Sequence, residues 1–472
     1  MEEMQQIDEM VAELVAEVLA ANSPVDVLGS PGLVSQIRIK LMRNYGAEGI
    51  KIFANKFDTR RGEFGSDLLV ANPPAAYVSN LSYLLPTAFW EAYPYYLGEA
   101  GSTFGANDAA VFLSNRSNAE RLIGHILRDE LPYGSFSPEF LLNIALAATV
   151  INVGGDQLLR VIQRATEGRD HRYRLVNLAV TRRLVNAPKP FSESNGGRTA
   201  IVVAGQMRNP ERALPELQRH LQVNDADYFV SSWSTLGRTS LNRSRLSRVL
   251  DSEAIPLGES LTDRELALVD KELSSQRGAS LETLNEILLN SIPSLHTDRI
   301  HLVDESEPVF KLMDNGMKMH YHNLVWPSIL GERYLSRNYD YVVKVRPDLI
   351  FKEGTVLTSE DLRSLGPSDI GNDHPNWLFE PWGFGVGDQF FYGRSDVMEA
   401  LLTTWSPHSV SVRIQTEVFG KPNYLQGHVN LGLELWMMGG NPVSSPLQKN
   451  GLFKSELITL PQLRSAIEKV RV

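Results

Sequence analysis

The chain of 472 residues contains no cysteine. That removes disulfides, thiolate metal sites and cysteine nucleophiles, and it permits a reducing compartment without requiring one. No stretch approaches ~18 uninterrupted apolar residues, so no membrane-spanning helix is expected. Residues 1–6 carry acids where a basic n-region would stand, and no signal peptide is expected. A cytoplasmic protein is the resulting expectation. Positive charge is also scarce: 46 Lys and Arg face 56 Asp and Glu, a formal net charge of -10, which argues against a general nucleic-acid binder. Neither a G-x-S-x-G nucleophile elbow nor a G-x-x-x-x-G-K-[ST] phosphate loop occurs, which ranks hydrolase and P-loop chemistries last.

What is present exceeds one hydrophobic core, and at least two domains are expected, 1–190 helix-rich and 198–472 α/β. The chain opens with Ile7, Met10, Val11, Leu14, Val15, Val18 and Leu19 at helical spacing among acids, an amphipathic helix that packs on its own domain or a sister subunit. Phe89, Trp90, Tyr93, Tyr95 and Tyr96 form an aromatic cluster that reads as core sooner than as a sugar platform. Helices are expected over 120–129, 138–150 and 156–166. A basic run with Arg164, Arg169, Arg172, Arg174 and Arg182 is a solvated face in its plainest reading, with contact to anionic lipid or a lipid-linked acceptor as the minority one. Residues 186–198, NAPKPFSESNGGR, have the composition of a linker.

Beyond the linker, strands alternate with helices. Residues 199–208 read as a buried strand entering a Gly-containing loop, 227–233 as a second strand, 299–303 as a third, and 309–335 as a long helix-like stretch. The organising segment is YDYVVKVRPDLIF, 339–351, whose β-branched run predicts a buried strand of a mostly parallel sheet. Pro347 should end it and deliver Arg346 and Asp348 to the carboxyl edge, where ligands of open α/β sheets bind. The plain alternative is an Arg–Asp pair that ties off a strand. Arg238, Arg243, Arg245 and Arg248 mark a solvated loop or, less plainly, a phosphate-facing one.

The opening strand with AGQMR, then DADYFVSSW, YDYVVKVRPDLIF and GDQFFYG, resembles bacterial GT-A-type glycosyltransferases of lipopolysaccharide and capsule synthesis, notably the WavE type. The resemblance covers roughly the last three-fifths of the chain. It implies a GT-A-like (Rossmann-like) domain, a nucleotide-sugar donor near Gly205, Gln206, Arg208 and Arg346, and a glycan or lipid-linked acceptor, with work at the inner face of the membrane for a lipid-linked one. Asp348 stands where many such enzymes carry a metal-binding Asp-x-Asp, but Arg346 replaces the first Asp. Two cations could meet the leaving diphosphate: Mg²⁺ or Mn²⁺ held by Asp348, or an arginine clamp from Arg346 or Arg208. The divalent metal is the expectation carried forward, and Asp348 is expected to matter for transfer more than for folding.

Residues 372–389 are dense in aromatics, glycines and hydrogen-bonding side chains, a composition suited to sugar recognition. Asp388 is the first candidate for the acceptor's general base and Glu417 the alternative, with Glu434 behind it; anchoring the Gly-rich turn is the competing role for Asp388. His428 could supply a diphosphate or metal contact, although lone histidines are more often structural. His320 and His322 are two apart, do not share a helix face, and receive no role. The leading expectation is a nucleotide-sugar-dependent glycosyltransferase, and the rival is a non-catalytic glycan- or nucleotide-binding module.

Overall fold

The computed structural model describes residues 2–21, 23–29, 33–60, 63, 75–84, 109, 112–113, 115–129, 133–186, 195–236, 241–276, 281–374, 377–380, 383–405, 409–420, 427–453 and 457–471. The aromatic cluster at 89–96, residues 187–194 of the expected linker, Arg238 and Trp382 lie outside them. The chain divides into two compact units. One comprises Met1–Ala187 with Leu378–Gly385 and Arg413–Asn423, the other Pro188–Trp377, Val386–Val412 and Tyr424–Val472.

The first unit is built on α1 (Glu2–Ala20), α2 (Leu33–Thr59), α3 (Arg116–Leu127), α4 (Pro138–Ile151), α5 (Gly155–Thr166) and α6 (His171–Val185). The apolar stripe of α1 is buried from Ile7 to Val18, as its spacing requires, but Leu19, at the last turn, is exposed. Ser137 caps α4 by accepting from Phe140 N at 3.1 Å, and Pro138 fits the first turn because no intrahelical partner awaits its missing N–H. Nearly every side of α4 is buried. Phe140 lies 5.0 Å from the Phe136 ring and 6.2 Å from that of Phe112. The basic run contributes ties within this unit: Arg169 donates to Gly134 O at 2.7 Å and stacks 3.4 Å over Tyr173, while Arg172 reaches Glu139 and the carbonyls of Glu417 and Val418.

The second unit is a mixed α/β layer structure. The strands of its main sheet are β1 (Thr199–Ala204), β2 (Ala226–Trp233), β3 (Ile300–Val303), β4 (Tyr341–Val345), β5 (Ile370–Asn372), β6 (Phe390–Arg394) and β7 (Pro442–Ser444). They form one seven-stranded sheet in the order β7-β5-β6-β4-β1-β2-β3, and β6 alone runs antiparallel to its neighbours. Alternation along each strand splits the core in two. Ile201, Val203, Val343 and Val345 pack with Leu214 and Leu217 of α7 (Pro210–His220) and Leu284 and Leu288 of α8 (Leu281–Ser291). Val202, Phe229, Val342 and Phe391 pack with α9 (Asn315–Leu330), α10 (Ser395–Leu402) and α11 (Gly427–Met437).

The stretch at 309–335 is three helices, Pro308–Lys311, α9 and Tyr334–Asn338. Asp314 restarts the chain as a cap, accepting from Met317 N at 2.8 Å, and Gly331 ends α9 at φ 91. Arg243, in the arginine-rich loop, bonds Asp263 at 2.9 Å and the carbonyls of Glu259 and Leu261, so it closes a turn. No helix among the described residues is long and apolar enough to cross a membrane.

Candidate functional site

From β1 the sheet extends one way through β2 to β3 and the other way to β4, so the strand order reverses between β1 and β4. Such a reversal opens a crevice at the carboxyl ends of the two strands, the usual ligand position in open α/β sheets. The loops that leave β1 and β4 carry Gly205, Gln206 and Arg208 on one side and Arg346 and Asp348 on the other. Gly205 has φ 126, a conformation side chains rarely adopt, and its N–H is fixed by Ser231 O at 3.0 Å.

Asp348 is fully buried, and both of its oxygens accept from guanidinium groups. Arg346 binds it through two bonds, Nε to Oδ1 at 3.0 Å and Nη2 to Oδ2 at 2.9 Å. Arg208, 140 residues away, donates from Nη1 to Oδ2 and from Nη2 to Gln206 Oε1 at 2.8 Å. The arginine side chains keep 20% and 25% of their surface exposed around a carboxylate that keeps none, so the edge presents cations on an interior anchor. The expectation that Asp348 contributes little to folding is corrected by this burial: it is the shared counter-ion of two arginines.

The Asp388 loop is stitched to the same edge. Arg346 N donates to Gln389 O at 2.9 Å, and Lys344 Nζ donates to Asp388 O. Asn372, at the end of β5, grips the Gly387 peptide from both sides, accepting its N–H at 3.0 Å and donating to its carbonyl at 2.8 Å. A Cβ on Gly387 would fall 2.0 Å from Asp373 Oδ1 and 2.5 Å from Asn372 Oδ1, which explains the glycine by close approach. Asp373 is held in turn by Lys449 Nζ at 2.8 Å, and Lys449 also reaches Gln389 Oε1 at 3.3 Å. The Asp388 side chain is half-buried. Burial pushes the Lys344 ammonium down to about 8 against the opposing pull of Asp388.

Asn372 and Asp373 belong to the stretch whose composition suits sugar recognition, whereas Lys344 and Lys449 have no role assigned from the sequence. For Lys344 a signal existed, a lone lysine inside a β-branched run. Its side chain must enter the core on the Val342 face or break the alternation.

Glu417 stands in the first unit, its carboxylate bound by Arg413 Nε at 2.9 Å and by His171. The Arg413 bond, reinforced by His171 against a smaller desolvation effect, holds Glu417 below the usual carboxylate range, which makes it a weaker base. Glu434 is a half-buried residue of α11, and His428 O receives the Val386 N–H at 3.0 Å. A divalent metal does not fit Asp348 as it is found. Hard cations need open carboxylate lone pairs, and here guanidinium N–H groups meet both oxygens. Among the described residues no group of three or more His, Asp or Glu could hold a metal ion.

Neither the protein-family models nor the curated proteins compared with the chain give a match.

Proposed function

We propose that the second unit binds a nucleotide sugar at the crevice between β1 and β4 and transfers the sugar to a hydroxyl of a glycan or lipid-linked acceptor. The observation that carries this reading is the pair Arg208 and Arg346 held on buried Asp348 at the strand-order reversal. In the reaction the acceptor oxygen attacks the anomeric carbon, the bond to the diphosphate breaks, and negative charge grows on the departing oxygens. Guanidinium groups already oriented by an interior carboxylate meet that charge without rearranging, the condition under which electrostatic stabilisation is strongest. Their planar donor forks suit phosphate, and the cation role expected of a metal passes to them. Asp388 takes the acceptor's proton, since it lies on the same edge with its side chain partly open to solvent.

The GT-A-type identity and the setting in bacterial surface polysaccharide synthesis rest on the sequence resemblance. Incubating the full-length chain with a panel of nucleotide sugars and assaying free nucleoside diphosphate tests the activity. Release from at least one donor, abolished in the Arg208→Ala, Arg346→Ala double variant, is the expected result. Ligand binding without release under any acceptor condition would favour the non-catalytic module.

A further inference from the structure

In the first unit, α5 and α6 are joined along their length. Gln163 Nε2 donates to Thr181 Oγ1 at 2.8 Å, and Asn177 Nδ2 donates to Gln163 O at 2.8 Å. On α6, positions 174, 178 and 185 recur at helical spacing and form one stripe opposite the buried Val176, Ala179 and Val180. Arg174 is exposed at the start of this stripe, Leu178 is 42% exposed and Val185 70% exposed. On α5, Arg160 and Arg164, one turn apart, form an exposed row opposite the buried Leu158 and Ile162.

Elsewhere on the surface, exposed arginines end on carboxylates a turn away, as Arg60 does on Glu63, Arg116 on Glu120 and Arg219 on Glu216. Among the described residues, Arg160, Arg164 and Arg174 have no ion-pair partner, although Asp156 and Glu167 stand within a turn of the first two. Asp170, four residues before Arg174, spends its carboxylate on the cap of α6, accepting from Arg172 N at 2.9 Å and Tyr173 N at 3.4 Å. Residues 155–185 hold seven arginines against three acids, in a chain whose formal net charge is -10. That overall charge does not decide the matter, because charges more than about 8 Å apart are largely screened at physiological ionic strength and the local row governs.

Two features together select the partner. Unpaired guanidinium groups attract an array of anions. An exposed leucine and valine beside them gain nothing from phosphates in water, but on a bilayer they reach the boundary of the acyl chains while the arginines stay among the headgroups. We propose that the outward face of α5 and α6 docks on an anionic lipid bilayer, with Arg160, Arg164 and Arg174 on the headgroup phosphates and Leu178 and Val185 in the interface. No residue of the second unit enters this inference, so it stands apart from the nucleotide-sugar reading.

The test is flotation of the full-length chain with two kinds of vesicle, phosphatidylcholine alone and an equal mixture of phosphatidylcholine and phosphatidylglycerol. Binding to the mixture, weaker as salt is raised, and none to phosphatidylcholine alone is the expected result. Replacing Arg160, Arg164 and Arg174 together by glutamine should weaken binding about a hundredfold, since each basic residue near an anionic surface is worth about fivefold. Replacing the same three by lysine keeps the charges and should keep most of the binding. Leu178→Gln with Val185→Gln should weaken it about tenfold or more while leaving the salt dependence in place. All of these side chains are at least partly open to solvent, so the melting temperatures should stay near wild type; any variant that fails to fold is replaced by its single substitutions, with proportionately smaller losses expected. Absence of binding to the mixed vesicles, equal binding to both kinds, or unchanged binding in the glutamine variants of either set overturns the docking surface. Binding of duplex DNA by a chain that ignores both vesicles does so as well, and makes the partner a nucleic acid.

Discussion

Arg346 and Asp348, separated only by Pro347, form a two-bond ion pair at the end of β4, with Nε–Oδ1 at 3.0 Å and Nη2–Oδ2 at 2.9 Å. Arg208 shares the same carboxylate from the loop after β1. One buried anion thus fixes cations from two strand ends, and it stabilises the fold as well as the site. Removing one partner of a buried ion pair costs about 3–5 kcal/mol. Asp348→Asn should therefore lower the urea-derived unfolding free energy by an amount of that order and weaken nucleoside diphosphate binding together with it. A variant with wild-type stability would show that the arginines do not depend on this anchor.

Gly387→Ala should displace the Asp388 loop, because a methyl there would meet Asp373 and Asn372 oxygens far inside contact distance. Overpacking of this kind costs about 1–3 kcal/mol. Turnover should fall while nucleoside diphosphate affinity, which rests on the arginines, holds. Unchanged turnover would remove the loop from the chemistry.

Asp388→Asn cannot take up the acceptor's proton, and turnover should drop by about a hundredfold or more. Nucleoside diphosphate affinity measured beside turnover separates a lost base from a lost contact. A loss of that size in Glu417→Gln, with Asp388→Asn active, would move the base to the first unit.

Acid should destabilise the second unit through its neutral histidines. Burial pushes His320 down to about 4 and His322 to about 3 from the ordinary 6.5. Between those values the unfolded chain binds protons that the native chain refuses. The stability these groups contribute is complete above pH 6.5 and declines as pH falls toward 4, at about 1.4 kcal/mol per pH unit for each proton fully taken up. Urea titrations at several pH values should show this slope, and His320→Gln should remove His320's share. An identical slope in wild type and variant would mean that the native ring titrates as it does in the unfolded chain.

Much of the second unit was legible because its signals are local. The β-branched run of β4, the glycine after β1 and the proline after Arg346 each act within a few residues, and they mark the strands and the edge. The role of Asp348 was not legible, since it depends on Arg208, which approaches from 140 residues away. Asn372 and Gly387 meet only once β5 and β6 pair. His320 and His322, two apart on α9, lack the spacing of a metal pair. His320 and Asn323, three apart, stand on one helix face that also carries Met319 and Trp326 toward the core.

The central claim is that guanidinium groups, with no metal required, hold the donor's diphosphate. It is tested most directly by calorimetric titration of the full-length chain with UDP, GDP, CDP and ADP in buffer containing EDTA. One or more should bind at a single site per chain, and the heat should vanish in the Arg208→Ala, Arg346→Ala double variant. No binding in EDTA, with binding restored by Mn²⁺, would contradict the account and return Asp348 to the role of a metal ligand.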